Sequence, residues 1–158
     1  MSKRVIFMGA DHGGLALKDR LAAYLREQGH DVRDFGTHTA EAVDYPDFAL
    51  LVAQAVRGNR QAGGDAVGVM IDSIGQASAI ACNKLPGIRA VAGYDAFAVR
   101  SSREHNDANV LCLGGAVLGE GLARSLVGLW LDTPYAGGRH QARVDKITAL
   151  EARFMKER

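Results

Sequence analysis

Short apolar runs alternate along this chain with longer stretches of helical spacing. Arg4–Gly9 reads RVIFMG, a run that stops at a glycine and predicts a buried strand. Leu15–Gln28 places Leu17, Leu21, Tyr24 and Leu25 at helical spacing, and Gly29 is a natural stop for that helix. Val32–Phe35 predicts a second strand. Tyr45–Val56 predicts a helix, with Asp44 positioned to cap it and Pro46 in its first turn. Ala66–Ile71 (AVGVMI) is too short for an independent helix and reads as a third strand. Ala77–Lys84 predicts a helix of small residues, Ile88–Ala92 a fourth strand, Asp95–Glu104 a helix and Val110–Leu113 a fifth strand. Glu120–Leu131 and Val144–Lys156 predict the closing helices.

Alternation of this kind implies an α/β domain, a parallel sheet with helices on both faces. The order of the strands is not readable from the pattern. Such sheets bind ligands beyond the carboxyl ends of their strands. Those ends carry Asp11-His12-Gly13-Gly14, Asp72-Ser73-Ile74-Gly75, Tyr94-Asp95 and Gly114-Gly115. Polar residues and glycines therefore gather where a site is expected.

The bulk properties narrow the classes. A length of 158 residues is that of one domain, and 47% hydrophobic with 23% charged residues is ordinary for a globular protein. A net charge of +1 with no long run of one sign argues against a dedicated nucleic-acid or membrane surface. Cys82 and Cys112 sit in apolar stretches without CxxC spacing and read as reduced, buried thiols, not a disulfide or zinc site. The N-terminal MSKRVIFMGAD lacks the apolar run of a signal peptide, which places the protein in the cytoplasm.

Four polar constellations remain. The glycines of Asp11-His12-Gly13-Gly14 let the backbone approach a ligand, and N–H groups at a helix start attract an anion. His12 can donate to a phosphate. Asp11 can accept from sugar hydroxyls or simply cap the helix. The spacing matches neither a dinucleotide nor a P-loop fingerprint, so no cofactor is expected. Asp72-Ser73-Ile74-Gly75-Gln76-Ala77-Ser78 follows the third strand; Asp72 can take a proton from carbon or cap the following helix. Arg103, His105, Asn106, Asp107 and Asn109 end a helix, where His105 can shuttle a proton or complement the dipole. Arg139 and Arg143 lie four apart in GGRHQAR, and two guanidinium forks suit a phosphate dianion, although a charged surface face has the same pattern.

Together these segments resemble one family, ribose-5-phosphate isomerase B and the two kinds of chain that make up galactose-6-phosphate isomerase. The anchors are GADHGG at Gly9–Gly14, DYPDFA at Asp44–Ala49, NKLPGIRA at Asn83–Ala90, REHNDANVL at Arg103–Leu111 and GGRHQARV at Gly137–Val144. The resemblance implies a three-layer Rossmann-like domain with a five-stranded parallel sheet. It also implies a metal-free aldose–ketose isomerisation through a cis-enediolate, with sites built at a dimer interface. On matching positions, Asp11 contacts the sugar and His12, Arg139 and Arg143 hold the phosphate. His105 assists ring opening, and Asn106 holds the sugar or the developing oxyanion. The C-terminal segment from about residue 135 is expected to reach a neighbouring subunit.

The loop after the third strand departs from that family. It usually begins Cys-Gly-Thr-Gly; the cysteine is the base and the backbone N–H groups stabilise the enediolate. Asp72, Ser73 and Ile74 replace the first three residues, Gly75 matches, and Ala77 stands where a glycine is usual. Some members use a glutamate later in the loop, where this chain has Ser78. By resemblance, Asp72 is then the candidate base and Ser73, Ile74 and Gly75 the candidate oxyanion loop. An initial Asp also resembles one of the two galactose-6-phosphate isomerase chains, the one that works beside a cysteine-bearing partner. Three functions are therefore open: an isomerase acting alone on a phosphorylated aldose such as ribose 5-phosphate, a subunit of a hetero-oligomer, or a sugar-phosphate binding protein without catalysis.

Overall fold

The side chains of the central strands alternate between two apolar layers, and this alternation fixes the architecture. The computed structural model describes residues 3–155. Its elements are β1 (Val5–Ala10), α1 (Leu15–Glu27), β2 (Asp31–Asp34), α2 (Tyr45–Gln61), β3 (Val67–Asp72), α3 (Gln76–Cys82), β4 (Ala90–Ala92), α4 (Ala96–Asn106), β5 (Val110–Gly114), α5 (Glu120–Asp132), a 3-10 turn (Gly138–His140) and α6 (Gln141–Phe154). The strands form one five-stranded parallel sheet in the order β2-β1-β3-β5-β4. Ile6, Met8, Val69, Ile71, Leu111 and Leu113 point to one face, where Leu17, Leu21, Leu25, Leu126 and Trp130 of α1 and α5 cover them. Phe7, Met70 and Cys112 point to the other face, against Val52 and Val56 of α2 and Cys82 of α3. This is the three-layer Rossmann-like arrangement.

Glycine sets how closely the layers approach. A Cβ on Gly68 of β3 would lie 2.7 Å from Val52 Cγ1, so α2 rests directly on the sheet backbone. Gly29 ends α1 in the left-handed region (φ 89°), with its N–H donating to Arg26 O at 2.9 Å.

The predicted elements are all present among the described residues, with shifted ends. α2 runs past Val56 and through Gly58 to Gln61, and the chain turns at Gly63 in the left-handed region (φ 87°). Asp44 occupies its N-cap position but makes no side-chain capping bond, contrary to the expected cap. β4 is shorter than predicted: the Arg89 N–H is taken by the Asn109 side chain at 2.8 Å and the Ile88 N–H by Leu85 O at 3.2 Å. α6 starts at Gln141, ahead of Val144, and the predicted end at Lys156 lies outside the described residues.

α6 is held at few points. Val144 and Glu151 are its buried residues, and Glu151 Oε2 accepts the Gly87 N–H at 2.9 Å. Ile147, Leu150 and Phe154 are exposed and border a cleft of about 520 Å3 shared with Ile88, Val91 and Met155.

Candidate active site

The sheet order places a topological switch between β1 and β3, since the chain leaves β1 to one side for β2 and to the other for β3. Ala10 pairs with Ile71 across that junction, so Asp11 and Asp72 stand side by side just past it. The loops there touch. A Cβ on Gly13 would collide with Ser73 Oγ, and one on Gly115 would lie 2.5 Å from Gly13 O. Tyr94 Oη donates to Ile74 O at 2.7 Å and ties the β4 end into the same group. His12 is exposed, and its Nδ1 accepts the Val43 N–H at 3.2 Å. That bond leaves Nε2 for a ligand.

The two carboxylates differ. Asp11 is 7% exposed and uses one oxygen: Oδ1 accepts the Gly13 N–H at 2.9 Å and the Gly14 N–H at 3.2 Å. Asp72 is 4% exposed and uses both. Its Oδ1 accepts from the Ile74 N–H at 2.8 Å and from the Gly75 N–H. Its Oδ2 accepts from the Ser78 N–H at 2.9 Å and the Ser78 hydroxyl at 2.5 Å. Burial pushes the Asp72 pKa up. The bonds from Ser78, Gly75 and Ile74 outweigh that and hold it below its ordinary 3.8. A carboxylate with every strong lone pair engaged and a lowered pKa is a poor acceptor for a proton from carbon. The sequence leaves Asp72 between base and cap, and the geometry is that of a cap on α3.

The same bonds change the expected oxyanion loop. The N–H groups of Ile74 and Gly75 already serve Asp72, so they do not point at a bound anion. Ser73 is exposed, and its hydroxyl has no hydrogen-bond partner among the described residues.

His105, Asn106, Arg139 and Arg143 lie at the opposite end of the sheet. α4 begins at Ala96, beyond the carboxyl end of β4, and runs back for 11 residues to Asn106. At 1.5 Å per residue that is about 16 Å. α5 makes a parallel return to Asp132, which brings the following segment alongside, and the Ala136 N–H donates to Glu104 O at 3.0 Å. His105, Asn106, Arg139, His140 and Arg143 line one cleft of about 470 Å3. The His105 and His140 rings stack with centroids 4.2 Å apart, and His105 Nδ1 lies 3.0 Å from Ser101 Oγ. Desolvation, followed by the nearby His105, Arg139 and Arg143, lowers the His140 pKa. Asp107 fixes the end of α4 in a left-handed turn (φ 45°), meeting Arg89 at 2.8 Å, Arg103 at 2.9 Å and Arg60 at 3.7 Å.

The sequence-predicted residues thus form two groups in one chain. Asp11, His12, Asp72, Ser73, Ile74 and Gly75 share the carboxyl end. His105, Asn106, Arg139 and Arg143 share the amino end. Sequence reasoning passes over His140, although it stands between the two arginines, and Ser78 as the partner of Asp72. No group of three or more potential metal ligands occurs among the described residues. Both cysteines are fully buried; the Cys82 thiol bonded to it, and then burial, push the Cys112 thiol well up.

Comparisons with known proteins bear on the family and the fold. A family model described as Ribose/Galactose Isomerase matches residues 6–147. The chain is 45% identical to ribose-5-phosphate isomerase B of Escherichia coli over 151 residues, covering 96% of this chain and 98% of that one. It is 34% identical to D-erythrulose-4-phosphate isomerase of Pectobacterium atrosepticum over 147 residues, 92% of this chain and 94% of that one. Ribose-5-phosphate isomerase B of Clostridium thermocellum superposes with a TM-score of 0.89 at 47% identity, over 95% of this chain and 99% of that one. The Mycoplasma genitalium enzyme, solved with bound ribulose 5-phosphate, gives a TM-score of 0.89 at 33% identity, over 96% of this chain and 99% of that one. Sheet order, loop placement and near full-length similarity converge, and the chain belongs to the ribose/galactose isomerase family.

Proposed function

We propose that this chain is an aldose–ketose isomerase that converts ribose 5-phosphate to ribulose 5-phosphate, with each site assembled from two copies. The observation that carries the reading is the cleft of two arginines and two histidines, in a chain 45% identical to ribose-5-phosphate isomerase B along nearly its whole length. Arg139 and Arg143 form charge-assisted bonds to the phosphate dianion, and binding there positions carbons several bonds away. His105, oriented by Ser101, moves a proton between O1 and the ring oxygen to open the furanose. Asn106 holds a hydroxyl beside it, and His12 adds a donor.

The separation of the two groups supports a shared site. Asp11 and His12 of one copy and His105, Asn106, Arg139 and Arg143 of another can face one sugar phosphate across an interface. Within one copy they stand on opposite ends of the sheet. Exposed Ile74, Ile80 and Phe97 at the carboxyl end, and Leu150 and Phe154 on α6, offer the apolar surface for such contact. The cytoplasm is the compartment that fits a phosphorylated substrate and two reduced thiols. No helix of the described chain is long and apolar enough to cross a membrane.

The test is turnover by the purified chain with no second protein present. Ribulose 5-phosphate formed from ribose 5-phosphate supports the reading. Inactivity alone, relieved by a homologous cysteine-bearing subunit, transfers support to the hetero-oligomer.

A further inference from the structure

We infer that Asp11, through its Oδ2, is the base that carries the proton between C2 and C1 in this chain, while Asp72 is a positioning residue that clamps the loop beside it. The inference rests on the isomerase reading and deepens it by assigning the base.

The two carboxylates end neighbouring strands and are equally buried, at 7% and 4% exposure, so position does not separate them. Their hydrogen bonds do. Asp72 receives four bonds across both oxygens. To act as a base it would have to break the bonds that shape the loop. Asp11 anchors its turn through Oδ1 alone. Its Oδ2 has no hydrogen-bond partner among the described residues and is not sealed from solvent. Asp11 is therefore a nearly buried carboxylate with one oxygen fixed and the other unpartnered and open to solvent. A Cβ on Gly13 would meet both Ser73 Oγ and Asp11 Oδ1, so the Ser73 hydroxyl lies against the turn that Asp11 anchors. Neither cysteine reaches the crevice.

The step balances without a co-reactant. Asp11 Oδ2 takes the C2 proton of the open-chain aldose. The C2–H electron pair becomes the C1=C2 bond, and the carbonyl pair moves onto O1 to give the enediolate. The carboxyl then returns its proton to C1, the O2 hydroxyl passes its proton to O1, and the pair left on O2 forms the ketone.

The structure makes Asp11→Asn a clean test. Asn retains an oxygen for the Gly13 and Gly14 N–H groups and places its NH2 where Oδ2 stood. The variant should melt like the wild type and bind ribitol 5-phosphate, which has no carbonyl, within about threefold. Its kcat for ribose 5-phosphate should fall on the order of 10²–10⁴-fold. Deuterium uptake from solvent into recovered sugar should fall in step. Asp11→Ala should regain part of its turnover in added formate, a response that a purely structural role would not give. Wild-type turnover in Asp11→Asn overturns the assignment, as does a loss confined to ribitol 5-phosphate binding. An Asp11→Asn chain that does not fold contradicts the single-oxygen anchoring and overturns it equally. A wild-type chain inert toward ribose 5-phosphate sinks the isomerase reading itself, a distinct result.

Discussion

At the carboxyl end of the sheet the chain gathers carboxylates, glycines and backbone; at the amino end it gathers arginines and histidines. The first group is tightly determined. Asp11 and Asp72 are almost fully buried, and the loops that carry them touch through glycines that admit no side chain. The second group is open: Arg139 and Arg143 are exposed, and the α6 helix behind them is held by Val144 and Glu151. In the proposed site, one end holds the reacting carbon in fixed geometry and the other catches the phosphate. The length of α4 keeps the two groups apart in a single copy.

The largest expected effect lies at the rigid end. Asp72→Ala leaves the Ile74, Gly75 and Ser78 donors without their acceptor. At roughly 1–3 kcal/mol for each buried unsatisfied group, partly relieved by water, the loss should be about 3 kcal/mol by urea denaturation. It should also depend on pH. The folded-state pKa of Asp72 lies below its ordinary 3.8, so its stabilisation is fully present above about pH 4 and is lost as pH falls through the folded value. The gap between wild type and variant should therefore narrow on going from about pH 5 to about pH 3. A gap constant across that range would contradict the geometry of the clamp.

The next effect tests whether the two ends meet across an interface. A chain inactivated at Asp11 and one carrying both Arg139→Ala and Arg143→Ala should each be nearly dead. Refolded together in equal amounts, half the dimers are mixed and each has one intact site, so activity should recover to about a quarter of wild type. No recovery, with mixed dimers present by mass spectrometry, would mean that each site belongs to one chain.

Smaller again is the effect of either arginine alone. Arg139→Ala and Arg143→Ala should each weaken sugar-phosphate binding more than tenfold, since a hydrogen bond to a charged group contributes roughly 1.5–3 kcal/mol. Both positions are exposed, so melting temperature should barely move. Calorimetry that finds unchanged affinity in both variants would remove the phosphate assignment.

Much of this molecule is legible in its sequence. The strand and helix alternation follows from apolar spacing, and the buried cysteines follow from their neighbours. The arginine pair is readable because two guanidinium groups four residues apart on a helix start need no tertiary information to be placed together. Other features are out of reach. Periodicity gives the direction of α4 but not its consequence, that His105 and Asn106 finish at the far end of the sheet from Asp11. The role of Asp72 depends on how many donors converge on its oxygens, and one of them, Ser78, is six residues away on a helix that begins one residue before its apolar spacing does. Strand order depends on which edges pair, a tertiary outcome.

The burial of both thiols has a consequence for chemical tolerance. Cys82 and Cys112 have no exposed surface, and the raised pKa of Cys112 keeps that sulfur protonated. Peroxide and alkylating electrophiles attack accessible thiolates. A sugar isomerase that relies on a thiolate at the reacting carbon is silenced by such reagents. This chain presents them with carboxylate, hydroxyl and imidazole groups instead, and its fold shields the two sulfur atoms they would seek.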